Sequence, residues 1–210
     1  YGEQANLYAE LGMYDRALQL NAEAQHYSLL KDSFGLGDLY RYRASIFGQT
    51  KNKDSIFYYL NQAEKVSALQ GSFKGVFVNK VITAEAYLEY PDSVQKALTL
   101  ALSICPDSSR MPQWAKYELE LHLGRALLQT GKAAQGISLI EKAAQGFIGM
   151  DMKSREQKAN DILMDYYLDM NMKDAFIRCY KRSQTFTDSL NSAEKMRAVA
   201  AANIRFDTER

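Results

Sequence analysis

Apolar residues recur along this chain at intervals of three and four, in runs interrupted by short polar or glycine-bearing breaks. That pattern predicts helices arranged as consecutive pairs. It is clearest over residues 122–147, where Leu123, Gly124, Leu127 and Leu128 share one helical face and Gly131 ends the run. Ile137, Ile140 and Ala143 then carry a second helix. The chain begins in the same way: Ala5, Leu7 and Tyr8 precede Gly12 and Tyr14, and Ala17, Leu18 and Ala24 follow. Tyr40, Ala44 and Phe47 lead to a polar turn at Lys51-Asn52-Lys53, then to Ile56, Leu60 and Ala63. Val78, Val81 and Ile82 precede a break at Tyr90-Pro91-Asp92, and Val94, Leu98 and Ala101 follow it. Pro91 fits the first turn of a helix, where its missing N–H costs nothing. The pair around Gly131 is entered through Asp107-Ser108-Ser109 and Pro112, and a fifth has Ala159, Leu163 and Tyr166, a turn near Asn171, then Ala175, Cys179 and Arg182.

The second helices align at Ala17, Ile56, Val94, Gly136 and Ala175, giving steps of 39, 38, 42 and 39 residues. The extra length of each unit is expected mostly between a second helix and the next pair. Leu190, Ala193, Met196, Val199 and Phe206 predict a last helix, with Asp188 or Ser189 as its cap. The division is therefore a repeat region at 1–187 and a capping or connecting helix at 188–210. No Gly or Pro stops that helix, so it is expected to continue past Arg210, and a start at Tyr1 suggests a fragment.

The Leu-Gly step, the glycine turn and the small residues after it resemble the tetratricopeptide repeat, whose usual period is about 34 residues. HEAT-type repeats, at about 40–47 residues, are the competitor by length, but the Gly12 and Gly131 turns and Tyr14 favour the former. The resemblance implies an all-α, right-handed solenoid of about five helix pairs plus a C-terminal helix. In such a superhelix the first helices line the concave side and hold a protein or peptide segment there. The residues expected to project from them are Asn6, Arg41, Ser45, Asn79, Thr83, Arg125, Gln129, Asn160 and Tyr167. Amides and arginines offer donors in fixed geometry to a peptide backbone or carboxylate. Asn6 matches one place of the family's clamp for a terminal carboxylate. The Lys and Arg positions of that clamp do not line up, and it is not carried over.

Composition narrows the function further. With 26 basic and 25 acidic residues, bulk charge predicts no direct contact with nucleic acid. No stretch approaches the roughly 20 apolar residues of a membrane span. Cys105 and Cys179 are far apart and fit buried structural thiols. His26 and His122 show no HExxH-like spacing. Gly35-Leu36-Gly37 lacks the third glycine and the Lys of a phosphate loop, and the segment 169–173 lacks the Gly and Glu of a calcium loop. No catalytic residue, metal or cofactor is expected, and the chain is read as non-enzymatic.

The tail carries a second resemblance. Asp188-Ser189-Leu190, Lys195-Met196-Arg197 and the Phe206–Arg210 end are similar to the segment joining repeat-type sensor regions to a membrane helix in bacterial signalling proteins. This implies the sensing or regulatory region of a transcriptional regulator or sensor kinase. An extracytoplasmic (periplasmic) position is favoured over a cytoplasmic one, with the membrane reached only through a further C-terminal segment. A homodimer is compatible with it. The alternative is a free-standing scaffold that assembles other proteins.

Overall fold

A computed structural model describes residues 2–30 and 35–181, the side chains of residues 2, 3, 6, 29 and 30 excepted. The division at residue 187 and the helix expected over 188–210 lie outside the described residues. Within them the chain is helical: α1 Gly2–Glu10, α2 Tyr14–Leu30, α3 Leu36–Gln49, α4 Lys53–Leu69, α5 Phe73–Leu88, α6 Val94–Ile104, α7 Gln113–Gln129, α8 Ala133–Gly149 and α9 Lys153–Asp169. A further helix, α10, runs over 173–181. Short 3₁₀ turns at Pro91–Ser93 and Cys105–Arg110 flank α6. The pairs fall where the periodicity puts them, at α1/α2, α3/α4, α5/α6, α7/α8 and α9/α10.

The spacing differs from expectation in one respect. The joints α4–α5 and α8–α9, between pairs, are three residues long, as short as the turns inside pairs. The additional length resides in the helices, because α4, α7, α8 and α9 each have 17 residues. A helix plus its turn then occupies 20 residues.

One backbone device makes these turns. The middle residue is left-handed at Gly12, Lys51, Gly71, Gly131, Asp151 and Asn171. The next residue's N–H reaches back five positions, as from Asn52 to Phe47 (3.0 Å), Lys132 to Leu127 (2.9 Å) and Met172 to Tyr167 (2.8 Å). The left-handed residue itself donates three positions back, as Lys51 does to Gly48 (3.1 Å). These two bonds satisfy carbonyls that a helix end leaves open. Glycine reads as a turn in sequence at only three of the six; lysine, aspartate and asparagine hold the same conformation elsewhere.

Small residues set how closely the pairs cross. A Cβ on Gly124 would lie 2.9 Å from the Gly136 carbonyl oxygen, and one on Gly136 would lie 2.8 Å from the Gly124 oxygen. The backbones of α7 and α8 meet there. The apolar core is laid down between pairs as well as within them. One cluster joins Phe77 and Val81 of α5 to Leu98 and Ile104 of α6 and Leu119 and Leu123 of α7. The next joins Leu121 and Leu128 of α7 to Ile140 and Phe147 of α8, Leu163 of α9 and Cys179 of α10. Burial of each such Leu, Ile or Phe side chain contributes about 1.5–3 kcal/mol.

Consecutive helices pack together throughout. In addition α1 touches α3, α3 touches α5, α5 touches α7 and α7 touches α9. Among α2, α4, α6 and α8, no helix touches the next. The odd-numbered helices α1 to α9 share a continuous row of contacts.

Candidate functional site

A cleft runs along part of that row, from α3 to α9. Its first part, about 480 Å³, opens between α3 and α5 over a floor of Ala44, Ile56, Leu60, Ile82 and Ala86, with Ser45, Glu85 and Glu89 on its walls. Its second part, about 520 Å³, shares Ser45, Ile82 and Glu85 and continues past Trp114, Glu118 and His122 to Arg155. Small side chains at Ala44, Gly48 and Ala86 leave the first part open.

The lining follows from the 20-residue unit. Two units make 40, and residues 40 apart on odd-numbered helices occupy equivalent places. One row is Asp38, Val78, Glu118 and Lys158, a second Tyr42, Ile82, His122 and Ile162, a third Ser45, Glu85, Arg125 and Asp165. Within each helix these are spaced i, i+4 and i+7, a single helical face.

Charge concentrates where α5, α7 and α9 converge. His122 is 1% exposed, and its Nε2 lies 3.3 Å from Glu118 and 3.5 Å from Glu85. Arg155 Nε lies 2.8 Å from the other Glu118 oxygen. Lys158 Nζ donates to Glu85, spanning from α9 to α5. Burial works to raise the Glu85 pKa. The charges of His122, Lys158 and Arg155 and the Lys158 hydrogen bond outweigh it, so the value falls from the ordinary 4.5 to about 2. Around this centre the other charges are paired locally: Asp38 with Arg41, Glu89 with Arg125 (2.6 Å) and Glu120 with Lys142 (2.6 Å).

Of the residues expected to bind a partner, Arg41 and Ser45 line the cleft, and Arg125 borders it by holding Glu89. Asn79, Asn160 and Tyr167 need correction, because all three are buried. Asn79 is fully buried, and its Nδ2 donates to the Leu60 carbonyl of α4 (2.9 Å). An amide polar enough to suggest a surface is here a tie between pairs. Asn21 does the same across the α2–α3 joint, donating to Leu39 (3.0 Å). Asn160 is also fully buried, and Tyr167 packs in the core with Leu163 and Phe147. Thr83 returns its hydroxyl to the Asn79 carbonyl (2.8 Å), as helical threonines commonly do. Gln129 is exposed but outside the cleft, and the Asn6 side chain lies outside the described residues.

Glu85, Glu118, His122, Arg155 and Lys158 are absent from the expected set, although a signal for them exists. Glu118 stands four residues before His122, on the same helical face, and Glu85 falls midway between Ser45 and Arg125. Only the 40-residue register connects them.

No protein-family model and no curated protein matches this chain.

Among the described residues no group of three His, Cys, Asp or Glu side chains is arranged to hold a metal ion. Arg155 and Lys158 occupy the carboxylates beside His122. The Cys105 thiol is pushed up by burial and by the Glu120 charge, which keeps it protonated and weakly nucleophilic. No helix among the described residues is long and apolar enough to cross a membrane.

Proposed function

We propose that this chain is a binding module of the tetratricopeptide type, a right-handed solenoid that holds a protein or peptide segment along α3, α5 and α7 and acts without catalysis. The observation that carries the reading is the lining itself. One face of α3, α5 and α7, repeated every 40 residues, builds a cleft with an apolar floor completed by Ile56 and Leu60 of α4 and with polar walls. Contact confined to the odd row supports a curved stack with those helices inside, since helices crowded on one side and apart on the other must bend towards the crowded side. Ile82, Tyr42 and Trp114 offer apolar contact, and Ser45 and Arg41 offer hydrogen bonds, the mixture that small binding sites use.

The carboxylate–histidine group has the composition of an acid–base site. Its carboxylates are neutralised by Arg155 and Lys158, which suits a structural tie better than proton transfer. The larger role proposed is the sensing or regulatory region of a bacterial signalling protein, with an extracytoplasmic position. This part rests on the resemblance of residues 188–210.

Selection of linear peptides from a displayed library tests the groove. Selected peptides are expected to lose at least tenfold in affinity when Ser45→Trp fills the cleft, with helicity and melting retained. Equal affinity for the filled variant rejects the groove as the binding surface.

A further inference from the structure

The first part of the cleft exists because a core position is left empty. Gly48 of α3 holds the place that Leu88 holds in α5 and Leu128 in α7, 40 residues apart at each step. Both leucines are buried, and Leu128 packs directly over Gly136 of α8. In α3 and α4 the large and small residues are exchanged, with Gly48 in place of the leucine and Ile56 in place of Gly136. The exchange does not close the joint. A Cβ on Gly48 would have no atom within 4 Å, and the glycine stands open beside Ile56, Leu60 and Ile82. An apolar recess of this kind gains when another apolar group takes the place of water in it.

The charge around this recess is uneven. Each carboxylate that lines the cleft has a cation of its own: Asp38 has Arg41, Glu85 has Lys158, Glu89 has Arg125 and Glu118 has Arg155. Lys51, just past the end of α3, lines the same recess and has no ion pair among the described residues. The charge left over is therefore positive. Ser45 and Gln49 stand either side of Gly48 on one helical face, both exposed and lining the recess. Neither side chain is hydrogen-bonded to another described residue, so both are open to a peptide backbone.

We propose that the cleft takes a peptide segment in which a leucine, methionine or phenylalanine stands next to an aspartate or glutamate. The apolar side chain enters the recess at Gly48, the acidic one meets Lys51, and Ser45 and Gln49 hold the backbone between them. Gly48 is then the specificity-determining residue, because a leucine there would occupy the same space from within the chain. The equivalent places on α5 and α7 are already filled by Leu88 and Leu128, so the segment has one apolar anchor rather than a repeating series. The inference rests on the cleft as the peptide-binding surface, and its test tells the failure of one from the failure of the other.

Peptides selected on the wild-type protein from the displayed library, made with blocked termini, are titrated against Gly48→Leu, Lys51→Glu and Ser45→Trp. The selected sequences are expected to share the apolar–acidic pair. Replacing their apolar residue by alanine is expected to weaken binding at least about tenfold. Gly48→Leu is expected to lose as much while keeping its helicity and melting temperature, and Gly48→Met serves should the leucine variant not fold. Replacing the acidic residue of the peptide by lysine is expected to cost about fivefold on the wild type, as for an exposed ion pair, and to raise affinity for Lys51→Glu. Full affinity in Gly48→Leu with loss in Ser45→Trp overturns the anchor and leaves the groove standing, whereas full affinity in both rejects the groove itself. Selected sequences rich in lysine or arginine overturn the acidic partner. Saturable binding of laurate that Gly48→Leu abolishes, with no peptide selected, overturns the peptide in favour of a small aliphatic acid.

Discussion

Gly124 and Gly136 face each other across α7 and α8 so closely that each one's missing side chain is the space the other's carbonyl fills. A methyl group at Gly124 would also meet the Ile140 side chain at 2.7 Å and its backbone nitrogen at 3.2 Å. Backbone cannot give way as a flexible side chain does. Gly124→Ala and Gly136→Ala are therefore expected to lower stability by about 1–3 kcal/mol or more. Gly48→Ala, with nothing within 4 Å of its Cβ, is expected to be neutral or mildly stabilising. Urea unfolding midpoints of the three variants check this.

The six equivalent turns make a comparison within one molecule. Gly131 has φ 82°, and Gly131→Ala is expected to cost about 1 kcal/mol, because a Cβ is disfavoured there. Lys51 and Asp151 hold φ 55° and 53° without being glycine. Lys51→Gly and Asp151→Gly are expected to stabilise by a few tenths to about 1 kcal/mol. Opposite shifts in melting temperature for the two kinds of substitution are the result to look for.

Glu85 makes stability depend on acid in a defined window. Its folded-state pKa, about 2, lies below the ordinary 4.5, so between those values the unfolded chain binds more protons than the folded one. Its contribution is complete above about 4.5 and is lost as pH falls toward about 2. The gap in urea midpoint between wild type and Glu85→Gln is expected to be open at pH 7 and to close by pH 2. A gap of constant size would show that the ionised carboxylate has no such role.

Asn79 and Thr83 lie one turn apart on α5 and are expected to behave differently. Asn79→Ala removes the tie to Leu60 in a fully buried place and is expected to cost about 1–3 kcal/mol. Thr83→Ala removes a bond that only returns to its own helix, with an expected cost under about 0.5 kcal/mol. Neither substitution is expected to alter affinity for peptides selected on the groove by more than about twofold, since neither side chain lines the cleft. Chemical denaturation and a binding titration on the same samples separate the two effects.

The pairing of helices was legible in the apolar periodicity, down to the turn at Lys51-Asn52-Lys53 that has no glycine. The length of the unit was legible too, but its allocation was not. A run of 17 helical residues looks the same in sequence as a shorter helix plus a loop when Lys or Asp occupies the left-handed position. The groove was harder because polarity is a poor guide to exposure in stacked helices. Asn79 and Asn160 are polar and fully buried, and the Asn79 amide serves the Leu60 carbonyl of the neighbouring helix. Tyr166 is half-buried and Tyr167 buried, a difference of one step on a helix that an error of 100° in assigning the face inverts. Ser45 and Arg125 were expected as polar residues projecting from first helices, and they also share a place in the 40-residue register. Glu85 shares it as well, and its pairing with Lys158 depends on a third dimension that no local pattern encodes.

Contact along the odd row, without a counterpart among α2, α4, α6 and α8, gives neighbouring pairs a common pivot. A pair that turns about this pivot moves its odd-numbered helix least and its even-numbered helix most. A side chain wedged between α3 and α5 would therefore be registered chiefly away from that row, at α2 or α6. Whatever is attached to that outer surface, or continues from its last helix, would experience the event as a swing whose size grows with distance from the groove.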